Sequence, residues 1–83
     1  HVATYRALAR TLRQLHSAMR VKRAQGILSA DALSFSRFLA ELENGAEAFD
    51  DMAEATKCRK PEEAHKAREK LGSSADGMRA AST

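Results

Sequence analysis

The amino-acid sequence predicts an all-α protein: an antiparallel helical hairpin followed by a short third helix, together a three-helix bundle. Apolar residues recur every three or four positions, which is the period of a helix and not of a strand. Boundary signals fall at Gly26, Pro61 and Gly72. A chain of 83 residues fits one domain, placed at residues 1–72, with residues 73–83 expected as a flexible tail.

The first predicted helix covers about residues 2–25. Gly26 is suited to a left-handed C-terminal cap, and Lys22 and Arg23 in the last turn favour the negative end of the helix. The apolar stripe that predicts this helix consists of Val2, Tyr5, Leu8, Leu12, Leu15 and Met19.

The second predicted helix runs from about residue 30 to Lys57. Ser29 is the expected N-cap, Leu28 and Leu33 fit a hydrophobic staple, and Asp31 falls in the first turn. Asn44-Gly45 resembles a turn in isolation. The apolar face keeps its phase across this dipeptide, so one long helix is predicted.

The third predicted helix begins at Pro61 and ends before Gly72. Its inner face is weak, because it consists of two alanines and one leucine: Ala64, Ala67 and Leu71. The residues expected to meet inside the hairpin are Leu8, Leu12, Leu15, Phe35, Phe38, Leu39 and Leu42, with Leu8, Leu12, Phe35 and Phe38 as core anchors. Large core-forming residues are scarce, so either a marginal independent bundle or stabilisation by a docked partner is expected.

Charge is distributed in three blocks. Residues 1–30 carry basic side chains and no acid, residues 31–56 are strongly acidic, and residues 57–83 are again basic. This order suits neighbouring helices of opposite charge and leaves a basic surface for an acidic partner.

The basic residues of the first helix form a row. Arg6, Arg10, Arg13 and Arg20 fall within roughly 80° of one another at about 100° per residue. Three kinds of anion could face this row: carboxylates of a partner, phosphates, or the acidic residues Glu47, Asp51 and Glu54 of the second helix.

Catalytic and metal-binding patterns are not found in the sequence, and no cofactor is predicted. Cys58 and His16 have no local motif for nucleophilic catalysis, and Glu62-x-x-His65 is one pair where a di-iron helical bundle needs two. A single cysteine excludes an internal disulfide, and no apolar run spans a membrane. We therefore expect a non-enzymatic protein.

The opening run Thr4-Tyr5-Arg6-Ala7-Leu8-Ala9-Arg10-Thr11-Leu12-Arg13 resembles the first helix of the mitochondrial LYR-motif proteins. It is similar above all to the LYR-like ATP-synthase assembly factors, where Thr-(Tyr/Phe)-Arg-x-Leu-x-Arg recurs. The matching positions are Tyr5, Arg6, Leu8 and Arg10, and Phe35 or Phe38 fits the downstream phenylalanine of the family.

The resemblance implies a three-helix adaptor or accessory subunit of a complex in the mitochondrial matrix. Tyr5 would anchor the first helix, and Arg6 and Arg10 would contact an acidic surface of an acyl carrier protein or of another subunit. A removed presequence would account for a chain that starts at His1. The alternatives are a generic helical subunit of a large complex and, less favoured, a nucleic-acid-binding module that neutralises phosphates.

Overall fold

The computed structural model, which describes residues 1–26 and 31–82, has three helices and no strand within those residues. They are α1 (Val2–Ala24), α2 (Ala32–Lys57) and α3 (Pro61–Ser82). Each runs antiparallel to the next, because early residues of α1 meet late residues of α2 and late residues of α3 meet early residues of α2. The predicted all-α hairpin with a third helix is confirmed.

The central helix α2 supports the other two. Both α1 and α3 pack along it, whereas no Cα atom of α1 lies within 8 Å of one in α3. The Cα atoms span 45 × 22 × 12 Å, so the arrangement is elongated and flat.

The third helix is longer than predicted. It continues through Gly72 to Ser82, so its predicted end and the tail assigned to residues 73–83 are wrong for every described position there. The reason is tertiary packing: Ser74 is buried, its hydroxyl donates to the Glu41 carbonyl oxygen, and Gly77 lies against the Glu41 side chain. Small residues that look like a tail in sequence allow α3 to approach α2 closely.

Helix α2 continues unbroken through Gly45, as predicted. A β-carbon at this position would lie 3.1 Å from Leu12 Cδ1 of α1 and 3.1 Å from Ser74 Oγ of α3. Gly45 therefore lies where both neighbouring helices approach α2 closely, and its presence does not mark a turn.

The helix ends are capped by local chemistry. Gly26 has φ +76° and follows the last turn of α1, as predicted. The N-cap of α2 is Asp31, whose carboxylate accepts a hydrogen bond from the Ser34 amide at 3.0 Å. This corrects the placement of Asp31 in the first turn, while the expected N-cap Ser29 and the staple residue Leu28 lie outside the described residues.

The turn between α2 and α3 closes with two backbone hydrogen bonds. The Lys60 amide donates to the Ala55 carbonyl at 2.9 Å and the Arg59 amide to the Thr56 carbonyl at 3.3 Å, which is a Schellman motif. Arg59 occupies the left-handed position with φ 55°, and Pro61 starts α3 two residues later.

The core consists mainly of alanine. Among described residues the buried apolar side chains are Ala9, Leu42, Ala46, Ala48, Met52, Ala53, Ala55 and Ala67. Of the predicted anchors, Leu12, Phe35 and Phe38 are half-buried. Leu8 and Leu15 are 41% and 44% exposed, so their assignment to the core of this chain is wrong.

Candidate protein-binding surface

The arginine face is defined as Arg6, Arg10, Arg13 and Arg20, all four of which are exposed on α1. Arg13 Nη2 is 2.7 Å from Asp50 Oδ2, and Arg6 Nη2 is 3.9 Å from Glu54 Oε2. All four of these paired side chains are 41–64% exposed, so each pair contributes only about 0–1 kcal/mol. The expected internal pairing is thus real for two arginines, but it is weak.

The other two arginines differ from these. Within the described residues, neither Arg10 nor Arg20 forms an ion pair with a carboxylate. Arg10 lies between Arg6 and Arg13 at the edge of an open groove of about 510 Å³. The groove is lined by Arg6, Arg10, Arg13, Asp50, Asp51 and Glu54. The face therefore retains positive charge that the chain does not neutralise, beside carboxylates that remain accessible.

The acidic side chains of α2 are shared between two helices. Glu54 faces Arg6, as one of the two alternatives predicted, but Glu47 and Asp51 contact Lys70 of α3 at 2.8 Å and 3.6 Å. The hydrogen bond to Glu47 raises the pKa of Lys70 above its usual value. Asp50, which the sequence did not single out, takes the place beside Arg13 that was expected for Asp51.

Tyr5 holds α1, which carries the arginine face, against α2. Its ring stacks on Phe49 of α2, with centroids 6.5 Å apart and an interplanar angle of 23°. The side chain is half-buried, which agrees with an anchor of α1 better than with a direct partner contact.

Two further contacts between α1 and α2 were also missed by sequence reasoning. His16 Nε2 is 3.0 Å from Glu43 Oε1, with the imidazole only 14% exposed, and the Arg23 guanidinium lies 4.8 Å from the centre of the Phe35 ring. In each case the basic residue sits beside the apolar stripe, a signal that identifies an inward-leaning side chain but not its partner on α2.

The remaining chemical candidates are engaged in local contacts. The Cys58 thiol lies 3.4 Å from a Glu54 carboxylate oxygen, and His65 pairs with Glu69 one turn along α3, not with Glu62. In the described part of the chain, no three or more His, Cys, Asp or Glu side chains are grouped so that they could hold a metal ion.

Comparisons with known proteins give no assignment. No family model, no curated protein and no solved structure matches this chain. Across the described helices, none combines the length and apolar character needed to cross a membrane.

Proposed function

We propose that this protein is a non-enzymatic adaptor or accessory subunit that binds an acidic protein partner through the arginine face of α1. The observation that carries the proposal is the state of Arg10 and Arg20, which have no ion pair within the described residues although Arg6 and Arg13 lie on the same face. Like charges in a row repel one another, and carboxylates of a partner would relieve this repulsion.

The chemistry of the groove favours a protein over a nucleic acid. Asp50, Asp51 and Glu54 line the same groove as the arginines. These carboxylates would repel a phosphate backbone, whereas a protein surface can offer acids to the arginines and basic or amide groups to the acids. The mixed lining thus suits an acidic protein surface that also offers basic or amide groups to these carboxylates.

The resemblance to LYR-motif proteins supports the same proposal from the sequence. It adds a mitochondrial location and a partner such as an acyl carrier protein or a subunit of a respiratory or ATP-synthase assembly. These finer statements rest on the match of Tyr5, Arg6, Leu8 and Arg10 alone.

The test replaces the two arginines that have no internal ion pair. Arg10→Gln with Arg20→Gln removes charge and keeps helix propensity, so the melting temperature should hardly change. The amount of partner protein that co-purifies with the tagged chain should fall about tenfold or more, because one well-placed charge-assisted hydrogen bond is worth about 1.5–3 kcal/mol. Lysine at both sites should restore only part of the binding, because it lacks the planar fork.

A matched control is Arg37→Gln, an exposed arginine on α2 and not on α1, which should leave co-purification unchanged. Equal recovery of every partner with the double variant would refute the proposal. Tight binding of a DNA or RNA oligonucleotide, with a steep loss on adding salt, would favour the nucleic-acid alternative instead.

A further inference from the structure

The four side chains of the arginine face are of two kinds. Arg6 and Arg13 each have a carboxylate of α2 beside the guanidinium, at 3.9 Å and 2.7 Å. Arg10 and Arg20 form no ion pair within the described residues. The two kinds alternate along α1, so the acids of α2 occupy every second arginine of the row.

The two carboxylates that occupy these arginines belong to Glu54 and Asp50. Their side chains are 64% and 41% exposed, and both line the groove that also contains Arg10. A ligand that enters the groove therefore meets these acids together with the arginines. Because both ion pairs are exposed and weak, a competing ligand can open them.

A polyanion and an acidic protein meet this arrangement differently. A chain of phosphates or sulfates carries no cationic group, so it can bind Arg6 or Arg13 only beside a carboxylate that loses its partner and repels it. An acidic protein can place a lysine or an amide against the displaced carboxylate. The repulsive contact thus penalises one class of ligand and not the other, which is a general source of specificity.

We propose that Asp50 and Glu54 are specificity-determining residues of the arginine face. By occupying two of its four arginines, they lower its affinity for polyanions that carry no cationic groups, such as nucleic acids. The proposal rests on the proposed function, because it states which ligands the same face rejects. Asp51 lines the same groove but lies 3.6 Å from Lys70 of α3, so the role is not assigned to it.

The test measures how the full chain binds a labelled single-stranded DNA of about 20 nucleotides as the salt concentration rises. The logarithm of the affinity falls with the logarithm of the salt concentration, with a slope of about 0.7 for each phosphate contact of a single strand. Asp50→Asn with Glu54→Gln releases two arginines and should therefore steepen this slope by about 1.4. Asp50→Asn alone should steepen it by about half as much.

Two controls separate this effect from net charge. Glu62→Gln with Glu69→Gln makes the same change in net charge at two exposed carboxylates of α3 and should leave the slope unchanged. Adding Arg6→Gln and Arg13→Gln to the variant of Asp50 and Glu54 should return the slope to that of the parent chain, because the new phosphate contacts are lost. Circular dichroism should show the same helicity for every variant, since all the replaced side chains are exposed.

Three results would overturn the proposal. One is a slope that Asp50→Asn with Glu54→Gln leaves as it is in the parent chain, and another is an equal steepening by the α3 control. The third is a steeper slope that persists after Arg6 and Arg13 are replaced as well. None of these results depends on the co-purification test, so failure here is distinguishable from failure of the proposed function.

Discussion

The two sides of α2 are packed by different means. On the α3 side, small residues bring the backbones close: Ser74 donates to the Glu41 carbonyl and Gly77 lies against the Glu41 side chain. On the α1 side, contact is made largely by long side chains, with Tyr5 on Phe49 and the pair Arg13–Asp50. Helix α3 therefore depends on the placement of its small residues, whereas the packing of α1 relies more on larger side chains and leaves Leu8 and Leu15 exposed.

The largest expected effect on the free energy of unfolding comes from Gly45, where α1 and α3 both approach α2. Gly45→Leu places a side chain into space already filled by Leu12 and Ser74, so we expect the free energy of unfolding to fall by about 3 kcal/mol. Gly72→Ala is the matched control, because a β-carbon there meets nothing within 4 Å. It should raise the free energy of unfolding by about 0.5–1 kcal/mol through helix propensity.

Urea denaturation followed by circular dichroism measures both changes. If Gly45→Leu is as stable as the parent chain, the three helices do not approach one another as closely as described. If Gly72→Ala destabilises, the continuation of α3 through this residue is wrong.

A smaller effect is expected from the ion pairs on the α1 side. A double-mutant cycle of Arg13→Gln and Asp50→Asn should give a coupling energy of about 0.2–1 kcal/mol, because both groups are half-exposed. The coupling should shrink in high salt, where surface charges are screened. A coupling of several kcal/mol would show that this contact is desolvated and that α1 is fixed by its charges.

The smallest effect concerns the N-cap of α2. The hydrogen bond from the Ser34 amide lowers the pKa of the Asp31 carboxyl, so its contribution to stability is present above its unfolded pKa and is lost as pH falls through the folded value. Asp31→Ala should therefore lower the melting temperature slightly at neutral pH and leave it unchanged in strong acid. A loss that is the same at both pH values would contradict capping by the charged form.

The sequence predicts the helices well because their signals are local. The period of the apolar residues, Gly26 and Pro61 each act within a few residues, and the structure confirms them. Gly72 carries the same signal as Gly26 but lies inside α3, since what extends this helix is the contact of Ser74 with α2. That contact depends on a residue 33 positions away, which no local pattern contains.

The candidate surfaces, like the helices, can be predicted only as far as their signals are local in sequence. The arginine row is visible in the sequence because helical spacing alone places its members on one face. Which acid each arginine meets is not visible, since it depends on the rotation of α2 about its axis, and a change of one residue decides between Asp50 and Asp51. The exposure of Leu8 has the same origin, because the contact of α1 is centred on Ala9 and not on the middle of the stripe.

The turn at Cys58–Lys60 determines the rotation and the axial position of α3 relative to α2. Its two hydrogen bonds and the left-handed conformation of Arg59 fix the backbone between the last turn of α2 and Pro61 at the start of α3. One inserted residue would rotate α3 by about 100° and shift it by about 1.5 Å, which would carry Ser74 off the surface of α2. The turn can therefore vary in composition, with glycine at position 59 the natural replacement, but its length is locked to the spacing of the small residues in α3.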